Sequence, residues 1–176
     1  MYDKGKGVPQ DYKQAVELYR KAADQGDAVG QGNLGLMYRN GNGVQQDDTQ
    51  AVEWYRKAAE QGFADSQYNL GICYENGRGV QQDNKQAVEW YRKAAEQGFA
   101  EAQHNLGGMY GNGKGVPQNY ISTYAWSSLA AAQGSKGGVE NRDRAATLLT
   151  PEQLGKAQAL AIVLQAKIDR KEQWDQ

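Results

Sequence analysis

The side chains best suited to chemistry in this chain are few and stand apart. One histidine, His104, and one cysteine, Cys73, occur among 176 residues. An imidazole is the usual general base near neutral pH and a common metal ligand, and a thiolate is a strong nucleophile. Each needs a partner: a second ligand or an orienting carboxylate for His104, a base or a cation for Cys73. No acidic or cysteine residue stands at ligand spacing from His104. Cys73 occupies the place held elsewhere by Met37 and Met109, which reads as a buried apolar position. Carboxylates are plentiful, but nothing spaces them as an acid–base pair. The sequence therefore assigns no catalytic residue, no metal and no cofactor, and the chain is read as not an enzyme.

Three polar patterns do recur. Gly41-Asn42-Gly43-Val44, Gly77-Arg78-Gly79-Val80 and Gly113-Lys114-Gly115-Val116 invite a phosphate-cradle reading. None carries the Gly-Lys-Ser/Thr ending, and all three recur at a helix exit with no strand before them, so they read as turns that need positive φ. Asn33, Asn69 and Asn105 each precede a Leu-Gly pair. Such a row of amides either bonds the backbone of an extended peptide or bridges to the adjacent hairpin, and its regularity favours the bridge. Asn40, Asn76 and Asn112, just before the glycine turns, read as helix C-caps.

These patterns share a period. Residues 44–79 read VQQDDTQAVEWYRKAAEQGFADSQYNLGICYENGRG and residues 80–115 read VQQDNKQAVEWYRKAAEQGFAEAQHNLGGMYGNGKG, 36 residues each. The frame continues back through VPQDYKQAVELYRKAADQG and forward through VPQNYISTYAWSSLAAAQG. A repeat of this length predicts a stacked array in which each unit buries its apolar face only against its neighbours. Within a unit, Ala51, Trp54, Tyr55, Ala58 and Ala59 fall at i, i+3, i+4, i+7 and i+8, one helical stripe over 48–61. Asp47 or Asp48 caps its start and Gly62 ends it. A second helix is predicted over 64–76, with Ala64, Leu70, Gly71 and Tyr74 on its stripe. Gly35, Gly71 and Gly107 sit mid-helix, where glycine costs about 1 kcal/mol against alanine, and close approach of a neighbouring helix is the expected compensation. Trp54, Trp90 and Trp126 recur with the period and pack the first helix.

The pattern A-x-x-x-L-G-x-x-Y-x-x-G-x-G-V-x-x-D-x-x-x-A-x-x-W-Y-x-x-A-A-x-Q-G stands here as Ala64, Leu70-Gly71, Tyr74, Gly77-Arg78-Gly79-Val80, Asp83, Ala87, Trp90-Tyr91, Ala94-Ala95 and Gln97-Gly98. It resembles the Sel-one-like repeat, a relative of the tetratricopeptide repeat, over about residues 1–134. The resemblance implies an all-α, right-handed superhelical solenoid of antiparallel helix pairs, with the A helices (64–76 and its equivalents) lining the concave face. It also implies a bacterial source, with a periplasmic location where an upstream signal has been removed and a cytoplasmic one otherwise.

The array is expected to run from 8 to 134. Residues 1–7 align with Met37 to Gly43 and read as the end of an incomplete upstream repeat, whose exposed edge invites self-association. Residues 135–176 read as a degenerate last repeat and a capping helix. Thr150-Pro151-Glu152-Gln153 supplies an N-cap, a Pro at the first position and a Gln at the third. Leu154, Ala157, Ala161, Leu164 and Ile168 form the sealing stripe. Leu160, Ile162 and Val163 lie off it, serving either a broader core face, the favoured reading, or a second contact. Trp174 is expected to fold back on the cap.

Stacking consumes the residues that repeat, so binding falls to positions that vary within the frame. On the A helices these are Val29/Asp65/Glu101, Gly32/Tyr68/His104, Leu36/Ile72/Gly108, Arg39/Glu75/Gly111 and the constant Asn40/Asn76/Asn112. Four of the differences between the two near-identical repeats fall here, at 65/101, 68/104, 72/108 and 75/111. The remaining five are at 48/84, 49/85, 66/102, 73/109 and 78/114. The candidate partner-binding residues are Arg39, Asp65, Tyr68, Asn69, Ile72, Glu75, Glu101, His104 and Asn105, with Tyr68 and Arg39 the best anchors by type.

Charge narrows the partner. Twenty Lys and Arg against 21 Asp and Glu leave −1, with no basic block, and Asp65, Glu75 and Glu101 oppose nucleic acid on the A-helix face. No apolar run has the length of a membrane span. Protein or extended peptide remains, held by an adaptor in a concave groove. A dedicated regulator or immunity-type neutraliser of one partner is the alternative. A hydrolase or cell-wall-related enzyme is a third reading, against which the resemblance itself counts: relatives that bind cell-wall material or penicillin carry regularly paired cysteines.

Overall fold

In a computed structural model, residues 11–174 are described, with side chains to Arg170. Nine α-helices and no strand occur among them. The predicted upstream remnant at 1–7 and the Trp174 side chain lie outside the described residues. The chain forms two compact units, one through Gln82 and one from Asp83.

The first unit holds α1 (Tyr12–Asp24), α2 (Ala28–Asn40), α3 (Asp48–Glu60) and α4 (Ala64–Asn76), each packed on the next. Asp11 and Asp47 cap α1 and α3 by accepting backbone N–H bonds, Asp47 from Gln50 at 3.0 Å, each cap worth about 1 kcal/mol. The stripe read for α3 is buried at Ala51, Tyr55, Ala58 and Ala59. Leu34 and Leu70 are fully buried on the A helices. Glycine at 35 has its reason here: a methyl group there would lie 2.8 Å from two Tyr55 ring carbons, so α2 and α3 sit closer than any side chain permits. Helices α2 and α4 end on Gly41 and Gly77, at φ +68° and +66°. The C-cap position thus belongs to glycine and not to Asn40 or Asn76, correcting the sequence reading. Asn76 is the last helical residue, and its Nδ2 turns back to Ile72 O at 3.0 Å.

Each turn is then clasped to what precedes it. Gln46 Nε2 donates to Arg39 O at 3.0 Å and Gln82 Nε2 to Glu75 O at 2.7 Å. Gly79, at φ +70°, lies so close to the carbonyl of Asp48 that no Cβ fits. Arg20 on α1 and Arg56 on α3, the first (B) helices of their pairs, donate to the hydroxyls of Tyr38 and Tyr74 on the following A helices at 2.9 and 3.0 Å.

The second unit holds α5 (Asn84–Ala95), α6 (Ala100–Asn112), α7 (Tyr120–Ala132), α8 (Lys136–Leu148) and α9 (Pro151–Trp174). The same devices recur: Asp83 and Asn119 caps, Arg92 to the Tyr110 hydroxyl, Gln118 to Gly111 O, and a glycine C-cap at Gly113. Helix α8 begins at Lys136 because Ser135 caps it, its hydroxyl accepting from Gly138 N. Helix α9 opens on a reciprocal capping box: Gln153 N donates to Thr150 Oγ1 at 3.3 Å and Thr150 N to Gln153 Oε1 at 3.0 Å. It packs on α7, burying Ala157 and Ile168. Ile162 and Val163 are 71% and 49% exposed. The broad core face expected of them does not form, since a helix seated on one neighbour buries a single stripe.

Candidate functional site

The residues that repeat within the frame do structural work. Gln31, Gln67 and Gln103 are buried, and each donates to the carbonyl of an alanine eight residues back: Ala23, Ala59 and Ala95, at 3.3, 3.0 and 3.2 Å. The glutamine that closes the next B helix joins them, Gln61 Nε2 to Gln31 Oε1 at 2.8 Å and Gln133 Nε2 to Gln103 Oε1 at 3.0 Å. Each buried amide is satisfied, which is what lets it stay buried. The sequence reading passed over these glutamines, although their period was visible.

The eight residues at the four variable A-helix positions differ from this scaffold in one respect. Asp65, Tyr68, Ile72 and Glu75 on α4, and Glu101, His104, Gly108 and Gly111 on α6, are all exposed or half-buried. In the first unit Arg39 and Asn69 come together: Arg39 Nη1 donates to Asn69 Oδ1 at 2.7 Å, while Asn69 Nδ2 donates to Asp65 O at 2.8 Å within its own helix. This amide neither bridges to another hairpin's backbone nor stands open; it receives a guanidinium from the preceding A helix. At Gly32 in the first unit, α2 abuts the start of α4. A methyl at Gly32 would lie 2.8 Å from the Phe63 ring.

The second unit shows the same contact with different residues. The His104 imidazole lies over Gly137 of α8, where a methyl would be 2.5 Å from Cε1. His104 Nδ1 faces Asn141 Nδ2 at 3.4 Å. Glu101 is exposed and Asn105 half-buried. Beside His104, a hollow of about 60 Å³ opens over Gly108 and Gly111, walled by Tyr120, Thr123, Asn141 and Arg144. Asn141 and Arg144 were not among the sequence candidates. Their signal was the period itself, since Asn141 stands 36 residues after Asn105 and Arg144 the same distance after Gly108. The loss of Leu-Gly-x-x-Tyr in α8 hid the register.

Little in the site suits covalent chemistry. Cys73 is 2% exposed, and burial pushes its thiol up to about 11, with Arg39 pulling weakly the other way; it stays protonated at neutral pH. Burial likewise raises the Tyr55 phenol above its ordinary range. No three His, Cys, Asp or Glu among the described residues converge on a possible metal position. No described helix is long and apolar enough to cross a membrane.

Comparison with known proteins accords with the geometry. The Sel1 repeat model matches residues 1–27, 28–63, 64–99 and 100–135. Among solved structures, c5321, described as a protective antigen present in uropathogenic Escherichia coli strains and displaying an SLR fold, is 38% identical with a TM-score of 0.86. The match covers 98% of this chain and 38% of that one, so this chain spans well under half the length of c5321. A Sel1 repeat protein from Oxalobacter formigenes is 33% identical over 90% of this chain and 69% of its own, with a TM-score of 0.72. Helicobacter pylori cysteine rich protein B is 27% identical over 74% and 94%, with a TM-score of 0.59. No curated protein matches in sequence.

Proposed function

The chain belongs to the Sel1 repeat family, and from that premise we propose that it is a protein-interaction adaptor that holds a protein or an extended peptide against its A-helix face. Sel1 repeats generally build non-enzymatic interaction scaffolds on an all-α repeat solenoid, with bacterial examples among the structural neighbours. The observation that carries the reading is the division of labour within the repeat. Leu34, Leu70, Leu106 and Gln103, constant in the frame, are buried. On α4 and α6 the residues at the four variable positions are all exposed or half-buried, and they differ between repeats that are otherwise nearly identical. The buried positions that differ, Ser66/Ala102 and Cys73/Met109, exchange one small or apolar side chain for another, whereas variation in charge, size and polarity at accessible positions is how a repeat scaffold acquires a binding face. Tyr68 and Arg39 supply the residue types that anchor interfaces, Asp65, Ile72, Glu75 and Asn69 surround them, and Glu101, His104 and Asn105 are their counterparts in the second unit.

The test compares the chain with a variant carrying Arg39→Ala, Tyr68→Ala, Glu75→Ala and His104→Ala, both immobilised and challenged with a random-peptide display library and with bacterial extract. Circular dichroism verifies that the variant folds. Peptides or proteins held by the wild type should bind the variant at least about 30-fold more weakly, since two anchors at roughly 1–2 kcal/mol each suffice. Equal retention by both removes the A-helix face from consideration. One stoichiometric protein in place of several weaker ones makes the chain a dedicated regulator of that partner.

A further inference from the structure

Resting on the reading that the A-helix face receives a peptide, we propose that the hollow over Gly108 and Gly111 is an anchor site for a peptide carboxylate. The argument begins in the first unit, where the corresponding place is filled. Arg39 on α2 crosses to Asn69 on α4 and ends in a 2.7 Å hydrogen bond. In the repeat register Arg39 becomes Gly111 and Asn69 becomes Asn141. With no side chain at 111 or at 108, the space over Asn141 stays open at about 60 Å³. A single water needs only about 10–15 Å³ of such volume, so the hollow has room for a group of carboxylate size.

The walls select the charge. Ile72, the apolar residue at this register position in α4, is replaced in α8 by Arg144, which lines the hollow. Among the described residues, the Arg144 guanidinium has no hydrogen-bond or ion-pair partner, and neither has the Tyr120 hydroxyl, which also lines the hollow. Of the neighbouring carboxylates, Asp143 is taken by Arg142 at 2.8 Å, and among the described residues Glu140, one turn before Arg144, forms no ion pair with it. Thr123 Oγ1 is already spent on Asn119 O. The Asn141 amide, held only by a long 3.4 Å contact to His104, can turn toward a guest. A guanidinium, a phenol and an amide around a small hollow present donors, and the fixed positive charge excludes a cation. A carboxylate meets the guanidinium side-on or end-on and accepts a second hydrogen bond from the phenol hydroxyl.

Isotope-labelled full-length chain titrated with three small probes tests this by NMR. N-acetylaspartate amide mimics an internal acidic residue, N-acetylalanine offers a terminal carboxylate, and N-acetylasparagine amide is the neutral isostere of the first. At least one carboxylate should give saturable shifts centred on Gly108, Gly111 and Asn141, with an affinity about tenfold above that of the neutral isostere, as for one charge-assisted bond. The tighter of the two carboxylates identifies the source as side chain or terminus. Arg144→Gln, a surface change that spares the core, should weaken the preferred probe about tenfold. Gly111→Arg, which restores the residue type of position 39, should abolish its binding while the helix content is kept. Equal response to the neutral isostere, no response, or indifference to Arg144→Gln overturns the site. Library peptides that bind without an acidic residue, with the probes silent, sink the carboxylate site and leave the adaptor reading. A hollow that responds in a chain retaining no peptide does the reverse.

Discussion

Arg39 on α2 reaches Asn69 on α4 with its Nη1 2.7 Å from the amide oxygen, so a residue nominated as a binding anchor is at the same time a strut between successive A helices. Removing it should therefore act on stability as well as on binding. Arg39→Met keeps the aliphatic stem and loses the bond to Asn69, and should lower the unfolding free energy by about 1 kcal/mol, as expected for a partly buried charged–neutral hydrogen bond. Asn69→Ala should cost about the same, and the double variant little more than either alone. Additive losses in urea unfolding would show that the strut carries no coupling.

Two glycines in helices should respond oppositely to alanine. Gly155 of α9 is exposed with open space around its Cα, so Gly155→Ala should stabilise by about 1 kcal/mol through helix propensity alone. Gly35→Ala gains the same propensity but forces a methyl into the Tyr55 ring at 2.8 Å; overpacking of about 1–3 kcal/mol offsets or exceeds it. Thermal melts of the two variants should move apart. A rise for both would mean that the α2–α3 spacing is slack.

The raised Cys73 thiol sets a direction for alkaline stability. Its folded value, about 11 against an ordinary 9.0, means that the unfolded chain releases this proton first. The contribution is therefore complete below pH 9 and lost as pH rises toward 11, by roughly 2–3 kcal/mol. The Tyr55 phenol, raised by burial, adds loss in the same sense from about pH 10 upward. Cys73→Met, which installs the residue of positions 37 and 109, should flatten the pH 9–11 decline in urea midpoint relative to the wild type. An unchanged profile would assign the decline to other groups.

The capping box at Thr150 holds the start of the helix that seals α7. Thr150→Ala should cost about 1 kcal/mol, with hydrogen exchange accelerating first in the opening turns of α9. Thr150→Ser should restore most of the loss. Exchange that changes equally throughout the second unit would deny the cap a local role.

Much of this protein was legible because the repeat states each rule several times. The helices at 48–60 and 64–76, the glycine turns, the aspartate caps and the burial of Leu70 and Cys73 follow from local periodicity and turn chemistry, which act within a few residues. The buried glutamines were legible too, had the period been applied to polar residues as readily as to apolar ones. Ile162 and Val163 show the limit: which side of a helix is covered depends on how many neighbours it meets, and sequence spacing does not count neighbours.

By itself the sequence determined an all-α array, its register, its family and the positions free to vary. Only the tertiary structure decided what those positions do. Asn69 and Asn141 stand at one point of the repeat, yet one receives Arg39 and the other lines an open hollow, because Arg39 has become Gly111 on the preceding A helix. That difference belongs to pairs of residues about 30 apart in the chain. Their meeting is set by the packing of one A helix on the next, and no local pattern records it.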